Sequence, residues 1–186
     1  MSMVAEAASG IYGAWRLARR DPDGLKWFNA TPQGFWRSFL AAVLVLPAVL
    51  GLEVLDGSLA ADNFTGRKLA VELIAYVIQW TAFPLVMGYV ADGLDRGRNY
   101  IRFVVAYNWS QVIQMAAFLP VSVAVMLVPN PAIALLSLIV MVMLLAYQAF
   151  VAHKALDVPV MPAIGVVILD MLLGGLVARA AGSMAG

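Results

Sequence analysis

The chain has no cysteine, so disulfides, thiol nucleophiles and thiolate metal sites are excluded. Histidine is almost as scarce. His153 stands alone, and without an HExxH pattern a zinc site has no ligand set to build on. No phosphate-binding loop is present either: Asp92-Gly93-Leu94-Asp95-Arg96-Gly97-Arg98 has two glycines but no Gly-Lys-Ser/Thr ending. Charge is thin, with 12% charged residues where a soluble domain carries about 25%. A net charge of +1 provides no broad positive field, so no nucleic-acid partner is expected. No cofactor is expected, and no catalytic set is recognisable.

Apolar length takes the place of these features. Of the 186 residues, 63% are hydrophobic. Five long apolar runs follow one another, at about 35–54, 69–90, 103–128, 132–152 and 160–178. A membrane-spanning helix needs about 17–25 residues, and each run reaches that range. The expected fold is all-α: an integral membrane bundle of five transmembrane helices over residues 35–186, preceded by an amphipathic interfacial helix within residues 1–34. Pro84 and Pro120 fall inside the second and third runs, where they are expected to kink the helices without ending them. The fourth run follows the tight connection Pro129-Asn130-Pro131. No internal repeat supports an inverted-repeat carrier.

The first 34 residues read differently from the rest. Val4, Ala8, Ile11 and Trp15 recur at helical spacing, with Arg16, Arg19 and Arg20 mostly on the other side, the pattern of a basic amphipathic helix lying on a membrane surface. Asp21-Pro22-Asp23-Gly24 stops that helix, because proline disfavours helix at the residue before it and Asp and Gly favour turns. Thr31-Pro32 reads as an N-cap followed by proline in the first turn.

The basic residues orient the bundle. With the N-terminus in the cytoplasm, the inner side holds Arg16, Arg19, Arg20, Lys26, Arg37, Arg96, Arg98, Arg102 and Lys154. The outer side holds Arg67, Lys68 and Arg179. Cytoplasmic retention of positive charge then gives an N-terminus inside and a C-terminus in the periplasm of a bacterial inner membrane. Arg16, Arg19, Arg20, Arg96 and Arg98 are candidates for anionic lipid headgroups.

Polar residues inside the apolar runs are where function is sought. Asp170 lies about 15 Å along the fifth helix, near the midplane of a hydrocarbon core about 30 Å thick. A carboxylate there needs partners or a proton. Its face carries Ala163, Val167 and Gly174, whose small side chains permit close helix approach, so Asp170 is expected to face the bundle interior or a subunit contact. Gln79, Gln111 and Gln114 lie at matching depths. Asn108 shares a helical face with Gln111 and Gln114, and Gln148 lies at a depth similar to Asn108. Together they suggest a polar seam from mid-membrane toward the cytoplasm, serving either a proton or small-solute path or interhelical hydrogen bonding. Glu72 is expected to pair with Lys68, four residues before it, and His153 to serve as an interfacial anchor.

The lead-in to the first run, Thr31-Pro32-Gln33-Gly34-Phe35-Trp36-Arg37, together with five spans and a polar cytoplasmic N-terminus, resembles bacterial members of the Yip1 domain family over roughly residues 31–178. The Asp-Leu-Tyr-Gly-Pro signature of eukaryotic members does not occur. The resemblance implies a non-enzymatic membrane protein working through protein or lipid partners, and it supplies no site residues. Two readings of function follow. One is a non-enzymatic scaffold or accessory subunit whose partners are membrane lipids and other membrane helices, from a second copy or another protein. The other is a small oligomeric transporter or proton-conducting channel that uses Asp170.

Overall fold

The computed structural model describes residues 2–59, 65–128 and 130–185; Pro129, in the tight connection expected before the fourth run, lies outside them. The described residues are all helical or loop, with no strand. Helix α1 spans Met3–Ala18, followed by a short 3-10 turn at Pro22–Trp27. Then come α2 (Pro32–Ser38), α3 (Leu40–Leu55), α4 (Gly66–Gly93), α5 (Tyr100–Leu127), α6 (Pro131–Leu156) and α7 (Val160–Ala185). Five segments are long and apolar enough to cross a membrane: Pro32–Leu55, Gly66–Gly93, Gly97–Leu127, Pro131–Leu156 and Val160–Met184. Helices α4 and α5 run unbroken through Pro84 and Pro120. The architecture is consistent with a multi-pass membrane protein.

Local chemistry sets the boundaries. Asp21 accepts from the Asp23 amide at 3.0 Å and stops the chain after α1. Thr31 caps α2, its hydroxyl accepting from the Gly34 amide at 3.1 Å with Pro32 in the first turn. The first apolar run is interrupted at Phe39, between α2 and α3. There the buried Ser38 hydroxyl donates to the Phe35 carbonyl at 2.7 Å and accepts from Asn108 on α5 at 2.8 Å. A polar contact inserted into the helical ladder is an ordinary cause of a break.

α5 is the centre of the bundle. It packs on α1, α2, α3, α4 and α6, while α7 closes the ring between α4 and α6. The buried core lies toward one end, where Phe83, Met87, Phe103, Trp109, Val151 and Leu156 meet. That end also holds the tightest connections. Arg96, Asn99 and Arg102 donate to the carbonyls of Asp157, Leu156 and Ala155 at 2.7, 2.7 and 2.8 Å. These are carbonyls that the end of α6 leaves without intrahelical partners, and the two arginines also suit the negative end of its dipole. The turn between α4 and α5 is thereby tied to the turn between α6 and α7.

α1 docks on this same end beside the stripe of Val4, Ala8, Ile11 and Trp15, of which Ile11 packs against the core while the other three stay exposed. Its buried residues are Glu6, Gly10, Gly13, Ala14 and Leu17, while Val4, Tyr12 and Trp15 stay exposed. Small residues decide the contact. A Cβ on Gly10 would sit 2.5 Å from the Trp109 ring, and one on Gly13 would sit 2.8 Å from the Gly24 carbonyl oxygen. Glu6 is buried where the sequence pattern leaves it unremarked. It accepts from Arg37 Nη1 at 2.7 Å and Asn29 Nδ2 at 2.9 Å. Burial pushes the Glu6 carboxyl up, but the hydrogen bonds from Arg37 and Asn29 and the Arg37 charge outweigh it and hold the group below its ordinary 4.5. Arg37 therefore ties α2 to α1 instead of reaching toward headgroups.

Candidate functional site

Asp170 is held from two helices. Tyr107 on α5 donates its phenol to the carboxylate, 2.9 Å from Oδ1 and 3.0 Å from Oδ2, and Gln148 on α6 donates its Nε2 to Oδ2. Both donors point toward Asp170, whose two oxygens accept from them. Tyr107 is buried and wedged against Phe83 and Phe103, with ring centroids 4.6 and 5.9 Å away, so its hydroxyl is fixed in direction.

These three residues border a cavity of about 510 Å³ to which all five spanning segments contribute. α3 supplies Val45 and Val49, and α4 supplies Tyr76, Gln79 and Trp80. α5 adds Gln111, Gln114, Met115 and Phe118 beyond Tyr107, and α6 adds Leu144. α7 completes it with Met171, Gly174 and Gly175. Tyr76 closes one side by donating to the Ala42 carbonyl at 2.6 Å. Gly174 leaves room for the Gln79 amide, which a Cβ there would approach to 3.2 Å. The Gln114 Nε2 is buried without a hydrogen-bond partner among the described residues. No Lys, Arg or His among the described residues borders the cavity. Among the described residues Asp170 is the one acidic side chain at its border, flanked by four glutamine amides and four aromatic rings.

The structure thus gathers Asp170, Gln79, Gln111, Gln114 and Gln148 around one space, and it leaves Asn108 outside. Successive residues turn by about 100° around a helix. Tyr107, Gln111 and Gln114, spaced four and three apart, fall on one face, while Asn108 sits a quarter-turn away and reaches Ser38 instead. Gln148 belongs with Asp170, not with Asn108. Sequence reasoning missed Tyr107. Its four-residue spacing to Gln111 was the available signal.

The basic candidates are dispersed. Arg16 donates to Asp21 at 2.7 Å, and this pairing holds the Asp21 carboxyl below the usual range. Arg20 lies over the Phe150 ring at 5.4 Å, and Arg96 is engaged with the end of α6. Arg19 and Arg98 are exposed. Pairing of Lys68 with Glu72 is not among the ion pairs of the described residues, and Glu72 instead lies within electrostatic reach of Glu53. His153 Nδ1 lies 2.5 Å from the Val158 carbonyl, at the end of α6. Ser110 donates to Ala106 and accepts from Tyr147. No group of three or more His, Cys, Asp or Glu side chains comes together among the described residues.

Set beside family models, curated proteins and solved structures, the chain matches none of them. The meaning of the site has to be read from its chemistry.

Proposed function

We propose that this chain is a small, non-enzymatic transport protein of a bacterial inner membrane, binding a polar solute or a proton at Asp170 in mid-membrane. The observation that carries the reading is the convergence of a carboxylate, a directed phenol and four amides on one cavity bordered by every spanning segment. Interhelical packing alone needs neither a cavity of this size nor a buried amide without a partner. Intramembrane acids are expensive, and they mark ion and solute pathways.

In this reading the end rich in arginine and lysine faces the cytoplasm, α1 lies on that side with Val4, Tyr12 and Trp15 toward the headgroups, and the C-terminus is periplasmic. Five helices are few for a solitary carrier, so a homo-oligomer fits best. The test is proton flux into liposomes containing the purified protein, driven by an imposed potential and read by an internal pH dye. Wild type should acidify the lumen faster than empty liposomes, and Asp170→Asn should return the rate to background while remaining monodisperse. Equal rates for wild type and empty liposomes, or an unchanged rate in the variant, would refute proton conduction.

A second reading, a scaffold or accessory subunit, is favoured by the first half of α6. Leu135, Leu136, Leu138, Ile139, Met141 and Val142 are all exposed, covering the helix except on the side of Ile133, Ser137, Val140 and Leu144. Lipid or a partner helix must cover that surface. The resemblance to the Yip1 domain family points the same way. A second protein at fixed stoichiometry in native mass spectrometry of gently extracted membranes would support it.

A further inference from the structure

We infer that the solute bound at Asp170 is a small organic ammonium ion carrying N–H groups on an apolar body. This deepens the transport reading and rests on it. The cavity sets the sign of the ligand's charge. Among the described residues Asp170 is the one acidic side chain at its border, and no basic side chain is there. A bound anion would meet a like charge in a low-dielectric setting, whereas a monocation would neutralise the carboxylate and lower the cost of holding it there.

Volume sets the size. At about 510 Å³ the space falls within the roughly 300–1,000 Å³ typical of small-molecule pockets. A bare divalent ion would want six to eight hard oxygens close around it, and a single carboxylate with dispersed amides does not provide that shell. The remaining lining divides into the two parts such a ligand needs. Tyr76, Trp80 and Phe118 bring aromatic rings to the lining, and ring faces attract ammonium ions within about 6 Å. The amides of Gln79, Gln111 and Gln114 carry oxygens able to accept N–H bonds, whereas the Gln114 Nε2 is itself a donor and is not satisfied by an ammonium. Val45, Val49, Met115 and Leu144 supply an apolar wall for a hydrocarbon body. Tyr107 reaches both carboxylate oxygens and Gln148 reaches Oδ2, so the ligand's ammonium would use the acceptor capacity that remains.

The experiment is isothermal titration calorimetry on the protein in nanodiscs, with empty nanodiscs subtracted for partitioning into lipid. The probes are phenethylammonium, phenylacetate and phenethyl alcohol, which share a ring and differ in charge. Phenethylammonium should bind saturably, the other two should bind about tenfold or more weakly, and Asp170→Asn should weaken phenethylammonium by at least about tenfold. The comparison of probes on wild type needs no variant, so a folding defect in Asp170→Asn cannot mask the answer. Equal binding of the acid or the alcohol, undiminished binding by the variant, or no saturable binding above empty nanodiscs would each overturn the ligand class. Proton flux measured on the same preparation separates the two ideas. Flux that depends on Asp170 without ammonium binding sinks the ligand class alone. Absence of both sinks the transport reading with it.

Discussion

Replacing Tyr107 with Phe removes a single oxygen from the candidate site and leaves the packing in place. The ring keeps its contacts with Phe83 and Phe103, and Gln148 remains as the other donor to Asp170. What is lost is a hydroxyl 2.9 and 3.0 Å from the two carboxylate oxygens. Hydrogen bonds to a charged group contribute about 1.5–3 kcal/mol. An ordinary interhelical hydrogen bond in a membrane averages about 0.6 kcal/mol. The two values are far enough apart for a measurement to choose between them. If Asp170 is a carboxylate held for function, Tyr107→Phe should lower stability by about 1.5–3 kcal/mol in reversible unfolding from mixed micelles. A cycle with Asp170→Asn isolates the charge-dependent part of the pair, since asparagine keeps an oxygen that accepts from Tyr107 but carries no charge. The double variant should then lose little more than Asp170→Asn alone. A cost near 0.6 kcal/mol, or two losses that simply add, would show Tyr107 to be packing with an incidental contact and would remove the main support for a functional carboxylate.

Other outcomes follow from the docking of α1. The Glu6 carboxyl is held below its ordinary 4.5 in the folded protein, so its contribution is complete above that value and is lost as pH falls through the lowered folded value. Hydrogen exchange should therefore show α1 loosening at acid pH below about 4.5, and Glu6→Gln should weaken that pH dependence; an α1 equally protected at pH 3 and pH 7 would contradict the assignment. Gly10→Leu would drive a side chain into the Trp109 ring, where overpacking costs about 1–3 kcal/mol. Limited proteolysis should then cut residues 19–31 faster, whereas unchanged cleavage would mean that α1 does not bear on α5. Asn99→Ala leaves the Leu156 carbonyl without its side-chain donor and should lower thermal stability by about 0.5–1.5 kcal/mol; no change would show that the two turns are held by the arginines alone.

Much of this architecture is legible in the sequence because its signals are long or local. An apolar run such as Ala132 to Ala152 spans enough residues that length alone decides helix, and Thr31-Pro32 or Asp21-Pro22 act through their nearest neighbours. What depends on facing was harder to read. For α1 the apolar stripe of Val4, Ile11 and Trp15 is the louder pattern, yet the helix docks through Gly10, Gly13 and Ala14, because close backbone approach against Trp109 and Gly24 favours small size over hydrophobicity. On α5 a spacing of three made Asn108, Gln111 and Gln114 look like one seam. A shift of one residue, about 100° of rotation, puts Tyr107 on the cavity face and turns Asn108 toward Ser38. Depth along a helix is countable from sequence, whereas the azimuth toward a neighbour depends on which helices surround it. The break at Phe39 involves a contact of the same kind, since the Ser38 hydroxyl beside it accepts from Asn108, 70 residues away.

The absence of cysteine makes the central claim open to a direct measurement, because any thiol introduced is the only one in the chain. Single-cysteine proteins carrying Gln111→Cys or Gln114→Cys would be treated in membrane vesicles with a charged, water-soluble methanethiosulfonate, alongside Ile139→Cys on the exposed apolar half of α6. A solute site at Asp170 must be reachable from water, so the two cavity positions should react, Ile139→Cys should not, and phenethylammonium should slow the reaction at the cavity. If the cavity positions react no faster than Ile139→Cys, the space around Asp170 is closed and dry, and the polar groups there serve only to hold the helices together.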